Sequence, residues 1–344
     1  MVFKNYFLLV FLSLSCIFGI LNCEFGDVHR KNINHIVLVH SCISETLSSG
    51  RSYSNSNIDI SNCFFIRSLS LNDNGGVIFV DGGSYSLKIL KSMFCNCTVT
   101  DSYSGGAIHF NSYSSNVSMI CGYRCHAISN CFAMFMCSHL NLANYVSVTS
   151  CSFSNTGDHS FGLYYGIQAL GNSNSSMNSP NYNSGVLTYY PSSFEGSFCN
   201  FANNRVNNWI CLYFYGNSGV LASSNIVHNN SPTEGVVYLQ SAVEYTISKC
   251  IFTNNRNTLF YRYNAGWLTI IDSHISHTDT LTYGFSIEMT NNIYSFTKSY
   301  GISLFRSVYC YADKPINTVQ VVSSISKPLT RIREQFIVYL ILVQ

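Results

Sequence analysis

Charge is what this chain has least of. Only 10% of its 344 residues are Asp, Glu, Lys or Arg, and the net charge is +2; an ordinary soluble domain carries about 25% charged residues. A nucleic-acid partner is excluded on that ground, because binding a polyphosphate needs a basic surface that releases counterions. Proline is scarce, at 5 residues. The strong helix formers Glu, Lys and Ala give way to Asn, Ser, Tyr and Gly, which argues against long helices. Low charge does not mean disorder here. The chain is 47% hydrophobic and 15% aromatic, so it has ample apolar surface to bury. Asn fills the polar share, with 37 residues against 34 charged ones, beside 24 Tyr, 24 Phe, 22 Gly and 15 Cys.

The ends carry their own signals. Lys4 precedes an apolar run from Tyr6 to Leu21. One positive charge before such a core is the layout of a secretory signal peptide, so residues 1–23 are expected to be removed, with cleavage between Gly19 and Glu24. Two alternatives stay open. The run is almost long enough to span a bilayer as an uncleaved anchor, and Cys23 could be lipidated, although Ile20-Leu21-Asn22 is a poor acceptor motif. Near the other end, Phe336–Val343 is apolar and follows Arg331, Arg333 and Glu334. It is too short to cross a bilayer as a helix. A last strand, the stub of a truncated membrane anchor and the start of a lipid-anchor signal all fit it. The expected location is secreted or at the cell surface, with membrane attachment only through one of these ends.

A short pattern recurs between them: Cys or Ser, any residue, then an aromatic or aliphatic residue, often followed by Asn. It reads Cys63-Phe-Phe65, Ser92-Met-Phe94, Cys121-Gly-Tyr123, Cys151-Ser-Phe153, Cys199-Asn-Phe201, Ser224-Asn-Ile226 and Cys250-Ile-Phe252, and fades at Asp272-Ser-His274. The steps are 29, 29, 30, 48, 25, 26 and 22 residues. A Gly followed by an apolar run keeps pace, as in Gly75-Gly-Val-Ile-Phe-Val80 and Gly105-Gly-Ala-Ile-His-Phe110. Between the two lies a third short apolar stretch such as Leu87–Leu90 or Val243–Ile247. Each unit thus holds about three short strands separated by Gly, Asn and Ser turns.

In a strand, residues i and i+2 share a face, so both named side chains of Cys-x-Phe point into the core. One unit cannot bury its own inner face, and units must stack. Stacking places equivalent residues about 4.8 Å apart. The expected fold is all-β: a right-handed parallel β-helix of about eight coils. Phe65, Phe94, Tyr123, Phe153, Phe201 and Phe252 are expected in one aromatic column. Cys63, Cys121, Cys151, Cys199 and Cys250 are expected in a thiol column beside it. Asn at the turns adopts left-handed backbone angles cheaply and can bond to the next coil's amide.

Gly105-Gly-Ala-Ile108 and Cys250-Ile-Phe-Thr-Asn-Asn255 resemble repeats of the right-handed parallel β-helix (pectin-lyase-like) superfamily. They are closest to the polymorphic-outer-membrane-protein-like repeats of surface proteins. The resemblance covers residues 55–275. It implies a secreted or surface-displayed protein and, for several members, adhesion. Within it, residues 24–55 are expected to cap the first coil's open edge, and the step of 48 to hold a loop near 156–184, or else one degenerate extra coil. Residues 276–344 read as degenerate final coils and tail.

The cysteines allow two readings. A secreted chain with this many invites disulfides, for example Cys121–Cys151 or Cys125–Cys131. Recurrence at one repeat position favours buried thiols packing as small hydrophobes. Cys121, Cys125, Cys131 and Cys137 have a suggestive x3, x5, x5 spacing, but zinc pairs usually sit two to four apart and the His partners here are scattered; no metal or cofactor is expected. Catalysis needs clustered carboxylates, whereas nine acidic residues are spread from Arg51 to Asp272. Asp73 with Asp101, and Asp81 with His109, could be neighbours across coils and read as solvated turn residues. His274 and His277 read as packing or exposed. No catalytic residue stands out. Sequons occur at Asn96, Asn116, Asn174 and Asn229. Asn116, Asn174 and Asn229 are glycan candidates, Asn174 foremost because of the expected loop. The functional expectation is a structural scaffold or adhesin presenting one face to a glycan or a cell-surface protein. Its rival is a polysaccharide lyase or hydrolase with an unrecognised site.

Overall fold

The structure, a computed structural model, describes residues 57–304 and Cys310, less 71–73, 101–103, 128–133, 152–158, 181–182, 207–209, 242–243, 265, 285–286 and 295–299, together with four short strands between residues 30 and 47. Residues 1–23, the apolar segment 336–343, Asp73, Asp101, Cys131 and Phe153 lie outside the described residues.

The elements are strands, and from His35 onward every pairing among them is parallel. One ladder runs through Asn57–Ser61, Ser86–Leu90, Ser114–Tyr123 and Leu140–Thr149, and continues through Ile167–Gly171, Ser193–Ser197, Gly219–Ala222, Glu244–Ser248, Trp267–Ile271 and Ile287–Thr290. A second runs from Phe64–Ile66 through Met93–Cys95 to His274–Ser276. The two long strands, Ser114–Tyr123 and Leu140–Thr149, turn the corner without a break and fuse both ladders into one 20-stranded sheet. The third face is a nine-stranded sheet from Ile78–Asp81 to Thr282–Tyr283. The chain is therefore a right-handed parallel β-helix. In the stretch expected to be a cap, His35–Val39 pairs in parallel with Asn57–Ser61, and Arg30–Asn32 pairs antiparallel with His35–Val39.

A single left-handed residue makes the corner between the first two ladders in each coil: Asn62, Lys91, Met119, Tyr145, Asn172, Phe198, Ser223, Lys249, Asp272 and Asn291 all have φ near +50°. Only some are Asn. Such a backbone costs an L-residue about 1–2 kcal/mol. The next coil's carbonyl holds it, as where the Lys91 N–H donates to Ser118 at 3.1 Å and the Lys249 N–H to Ile271 at 3.1 Å. The interval shortens from 29 residues between Asn62 and Lys91 to 19 between Asp272 and Asn291. The spacing is never 48. Residues 161–176 supply strands Phe161–Tyr164, Ile167–Gly171 and Asn174–Ser176, each paired on both sides. The expected inserted loop near 156–184 is corrected on that evidence, and an extra coil stands there.

The columns are real but drawn differently. Phe94 lies in register with Phe65, their rings stacked at 4.9 Å and 9°. In the next coil, however, Phe94 opposes Gly122, while Tyr123 opposes Cys95. Tyr123 and Cys121 therefore point outward. The aromatic file runs Phe65, Phe94, Gly122, Val148, Ser175, Phe201, Ile226, Phe252. Cys63, Cys199 and Cys250 share one column, which reads Cys63, Ser92, Ile120, Val146, Ser173, Cys199, Ser224, Cys250 and Ser273. A serine Oγ accepts the N–H of the preceding coil at Cys63, Val146, Cys199 and Cys250. Cys151 belongs to a different column, one turn further round, with Cys97 and Cys125. The motif Cys121-Gly-Tyr123 imitates the repeat one residue out of phase. A shift of one residue turns every side chain to the other face.

Candidate functional site

The nine-stranded sheet has an inner face of Ile78, Val80, Phe110, Leu163, Phe214 and Leu239, all buried. Its outer face becomes aromatic halfway along. One outward column holds Tyr164, Tyr189 and Tyr215, followed by Gln240 and Tyr263. The other, two residues back on each strand, holds Leu187, Tyr213, Tyr238, Tyr261 and Tyr283. Register alone produces these files, since each tyrosine sits over its equivalent in the coil below.

The rings pack on one another. Tyr189 and Tyr215 stack at 4.8 Å and 10°, Tyr238 and Tyr261 at 5.1 Å and 22°, and Tyr261 and Tyr283 at 4.7 Å and 19°. Tyr213 meets Tyr215 edge-on at 5.8 Å and joins the two files. Stacked neighbours turn their ring faces toward each other, so the surface shows ring edges and hydroxyls. At the corner, Tyr190 crosses Tyr215 edge-on at 4.7 Å and its hydroxyl donates to that of Tyr215 at 3.0 Å. The Tyr190 ring fits because residue 216 is glycine: a Cβ there would lie 2.5 Å from the ring, and its φ is +81°.

Buried amides hold this corner from within. Asn141 Nδ2 donates to the carbonyls of Tyr164 and Tyr165 at 3.1 and 3.2 Å. Gln168 Nε2 donates to those of Leu163 and Tyr165 at 3.1 and 3.2 Å. His159, buried, bonds through Nε2 to the Tyr164 hydroxyl at 2.5 Å. Burial lowers its pKa to about 3, so the ring is neutral. The outward positions of these tyrosine-bearing strands carry no charged residue. One carboxylate, Glu234, acts on Tyr213, Tyr238 and Tyr261, and its own pKa is raised by burial. The Tyr213 and Tyr238 phenols are pushed up foremost by burial, and that of Tyr190 to about 12, foremost by its bond to Tyr215.

The residues singled out from sequence fare variously. Asn116 is exposed on its strand. Asn174 is 3% exposed in strand Asn174–Ser176, with Nδ2 donating to the hydroxyls of Ser147 and Ser176. Asn229 is fully buried, its amide bonded to Asn255 and Phe201. Neither has a free amide to glycosylate, and both are corrected as glycan candidates. Cys121 is bonded to Cys310, while Cys125 and Cys151 are free buried thiols; the pairings Cys121–Cys151 and Cys125–Cys131 are corrected accordingly. Asp81 is exposed and accepts from Asn111 Nδ2 at 2.7 Å. His109 is buried, and burial, opposed by Asp81, lowers its pKa to about 4. His277 Nε2 lies 3.1 Å from the Thr280 carbonyl. Among the described residues no cluster of His, Cys, Asp and Glu could hold a metal ion, and no helix is long and apolar enough to cross a membrane. The tyrosine files escaped a sequence reading that followed Cys-x-Phe. The signal was present in Leu-Thr-Tyr189, Tyr213-Phe-Tyr215 and Tyr261-Arg-Tyr263, each with period two.

A family model for the right handed beta helix region matches residues 184–318. No curated protein and no solved structure matches the chain.

Proposed function

We propose that the protein is a rigid scaffold, secreted or displayed at a cell surface, that presents the tyrosine face of its nine-stranded sheet to a glycan or protein partner. One observation carries the reading: successive coils place tyrosines in two adjoining outward files, at positions free of charge. A tyrosine offers a broad apolar edge and one hydroxyl at low entropic cost, the combination favoured at recognition surfaces. The solenoid fixes the files rigidly, so little ordering is needed on binding.

The test is a binding screen of glycans and surface proteins against the wild type, Tyr215→Ala and Tyr261→Ala. Retained folding with at least tenfold weaker binding in both variants is the expected result; equal binding by all three removes the face from the function. The rival reading is a polysaccharide-cleaving enzyme with an unrecognised site. Release of reducing ends from polygalacturonate would establish that reading and overturn the first.

A further inference from the structure

The outer side of the second ladder is polar, yet it is covered. Up the coils, one outward column reads Cys121, Ser147, Asn174, Asn200, Asn225. These residues are buried although they face away from the core. They bond along the column: Asn200 Nδ2 to Asn174 Oδ1 at 2.9 Å, and Asn174 Nδ2 to Ser147 Oγ at 3.0 Å.

The cover comes from the chain's own C-terminal part. Asn225 grips the Tyr300 backbone with both ends of its amide: the Tyr300 N–H donates to Oδ1 at 2.8 Å, and Nδ2 donates to the Tyr300 carbonyl at 3.0 Å. Two coils back along the solenoid, Asn172 Nδ2 donates to the Ser303 carbonyl at 3.2 Å. Ile302 and Leu304 are each 8% exposed. Cys310, fully buried, is joined to Cys121 by a disulfide that closes 189 residues of chain. The strap thus runs back along the axis, from the coil of Asn225 toward that of Cys121. Both asparagines address main-chain atoms, and the Ile302 N–H closes back on the Tyr300 carbonyl at 2.9 Å, so the strap is held as a tightly turned backbone irrespective of its side chains.

We propose that this outward stripe is a groove for a polypeptide backbone, that residues 300–304 are its resident occupant, and that reduction of Cys121–Cys310 opens it. Eight further cysteines, from Cys63 to Cys250, are free buried thiols, and a dithiol reductant acts here on the Cys121–Cys310 cystine. It delivers two electrons and two protons; the S–S bond becomes two thiols and the dithiol closes to its own disulfide. Three hydrogen bonds and two apolar side chains then hold the strap against the entropy of an untethered segment. The covalent closure has kept its effective concentration at the groove high.

The experiment compares the full chain oxidised, reduced with dithiothreitol, and as Cys121→Ser. Hydrogen exchange is read at Tyr300 and Ile302, and binding of a labelled peptide of residues 300–310 with serine at its last position is measured by fluorescence anisotropy. On reduction, and in Cys121→Ser, exchange at Tyr300 should rise at least tenfold while Val237 and Phe252 are unchanged. The reduced protein should bind the peptide, the oxidised protein should not, and Asn225→Ala should weaken binding at least tenfold. Unchanged protection of Tyr300, equal peptide binding by oxidised and reduced protein, or absence of binding by the reduced protein would overturn the proposal. So would faster exchange throughout the solenoid, which would make the disulfide a general staple.

Discussion

One interior column changes chemistry halfway along the solenoid. In the earlier coils it holds Cys97, Cys125 and Cys151; in the later ones it holds Asn178, Asn204, Asn229 and Asn255. All are buried. Every one donates to the same place, the preceding coil's residue in the aromatic file. The three thiols reach the carbonyls of Phe65, Phe94 and Gly122 at 3.5–3.6 Å. The four amides reach those of Val148, Ser175, Phe201 and Ile226 at 2.7–3.3 Å. Asparagine adds an acceptor: Oδ1 of Asn178, Asn204, Asn229 and Asn255 takes the N–H of Cys151, Asn178, Asn204 and Asn229 in turn. A thiol is a weak donor that packs as a hydrophobe. An amide bonds two backbone groups at once, at the risk of leaving the N–H unpaired if it is lost. The two halves solve one problem, closing a turn in a dry interior, by packing in one case and by pairing in the other.

The sharpest way to break the comparison is Asn229→Ala. It strands the Asn204 N–H in the interior, at about 1–3 kcal/mol, and removes the bonds to the Phe201 carbonyl and Asn255 Oδ1, at about 1 kcal/mol each, so the loss should be about 4 kcal/mol, read as a shift of the urea midpoint. Acid should strike the other half. His109 has its pKa lowered to about 4, burial being the main cause, against about 6.5 when unfolded. Its neutral burial therefore contributes stability in full above pH 6.5, and that stability is lost as pH falls toward 4, by about 3 kcal/mol. Urea midpoints taken between pH 7 and 4 should show it, with a shallower acid slope in His109→Gln. Next comes Cys125→Ala, which should cost about 1 kcal/mol, because one weak bond to Phe94 is lost; a loss equal to that of Asn229→Ala would abolish the distinction between the halves. The smallest effect belongs to Tyr215→Phe, outside both. Stability should move by less than about 0.5 kcal/mol, while the Tyr190 pKa, raised to about 12 foremost by its bond to Tyr215, falls toward its ordinary value in an absorbance titration.

Legibility followed the side chains that face inward. The Gly-apolar runs and Cys-x-Phe pairs marked coils because both depend on period two and on burial. Phe65 and Phe94 could be paired on that basis. Cys121 and Cys151 could not be sorted, because Cys recurs in two interior columns and also at outward positions such as Cys95 and Cys121, and all look alike in sequence. Asn174 and Asn229 read as sequons, although a buried amide ladder uses the same residue type for a different end. The corner residues Lys91, Met119 and Phe198 gave no turn signal, since the backbone there is held by neighbouring coils and not by local preference.

Scarce charge, abundant Asn and Tyr, and a repeat of two to three dozen residues settled on their own that this chain forms strands that must stack. Those are local or compositional facts, governed by alternation along a strand and by what a single coil cannot bury. Register decided the rest: which cysteines share a file, that tyrosines line one face, that Cys310 returns to Cys121. One residue of slip exchanges inside for outside, and only hydrogen bonds between coils, made across 19 to 29 residues of chain, fix where each slip falls.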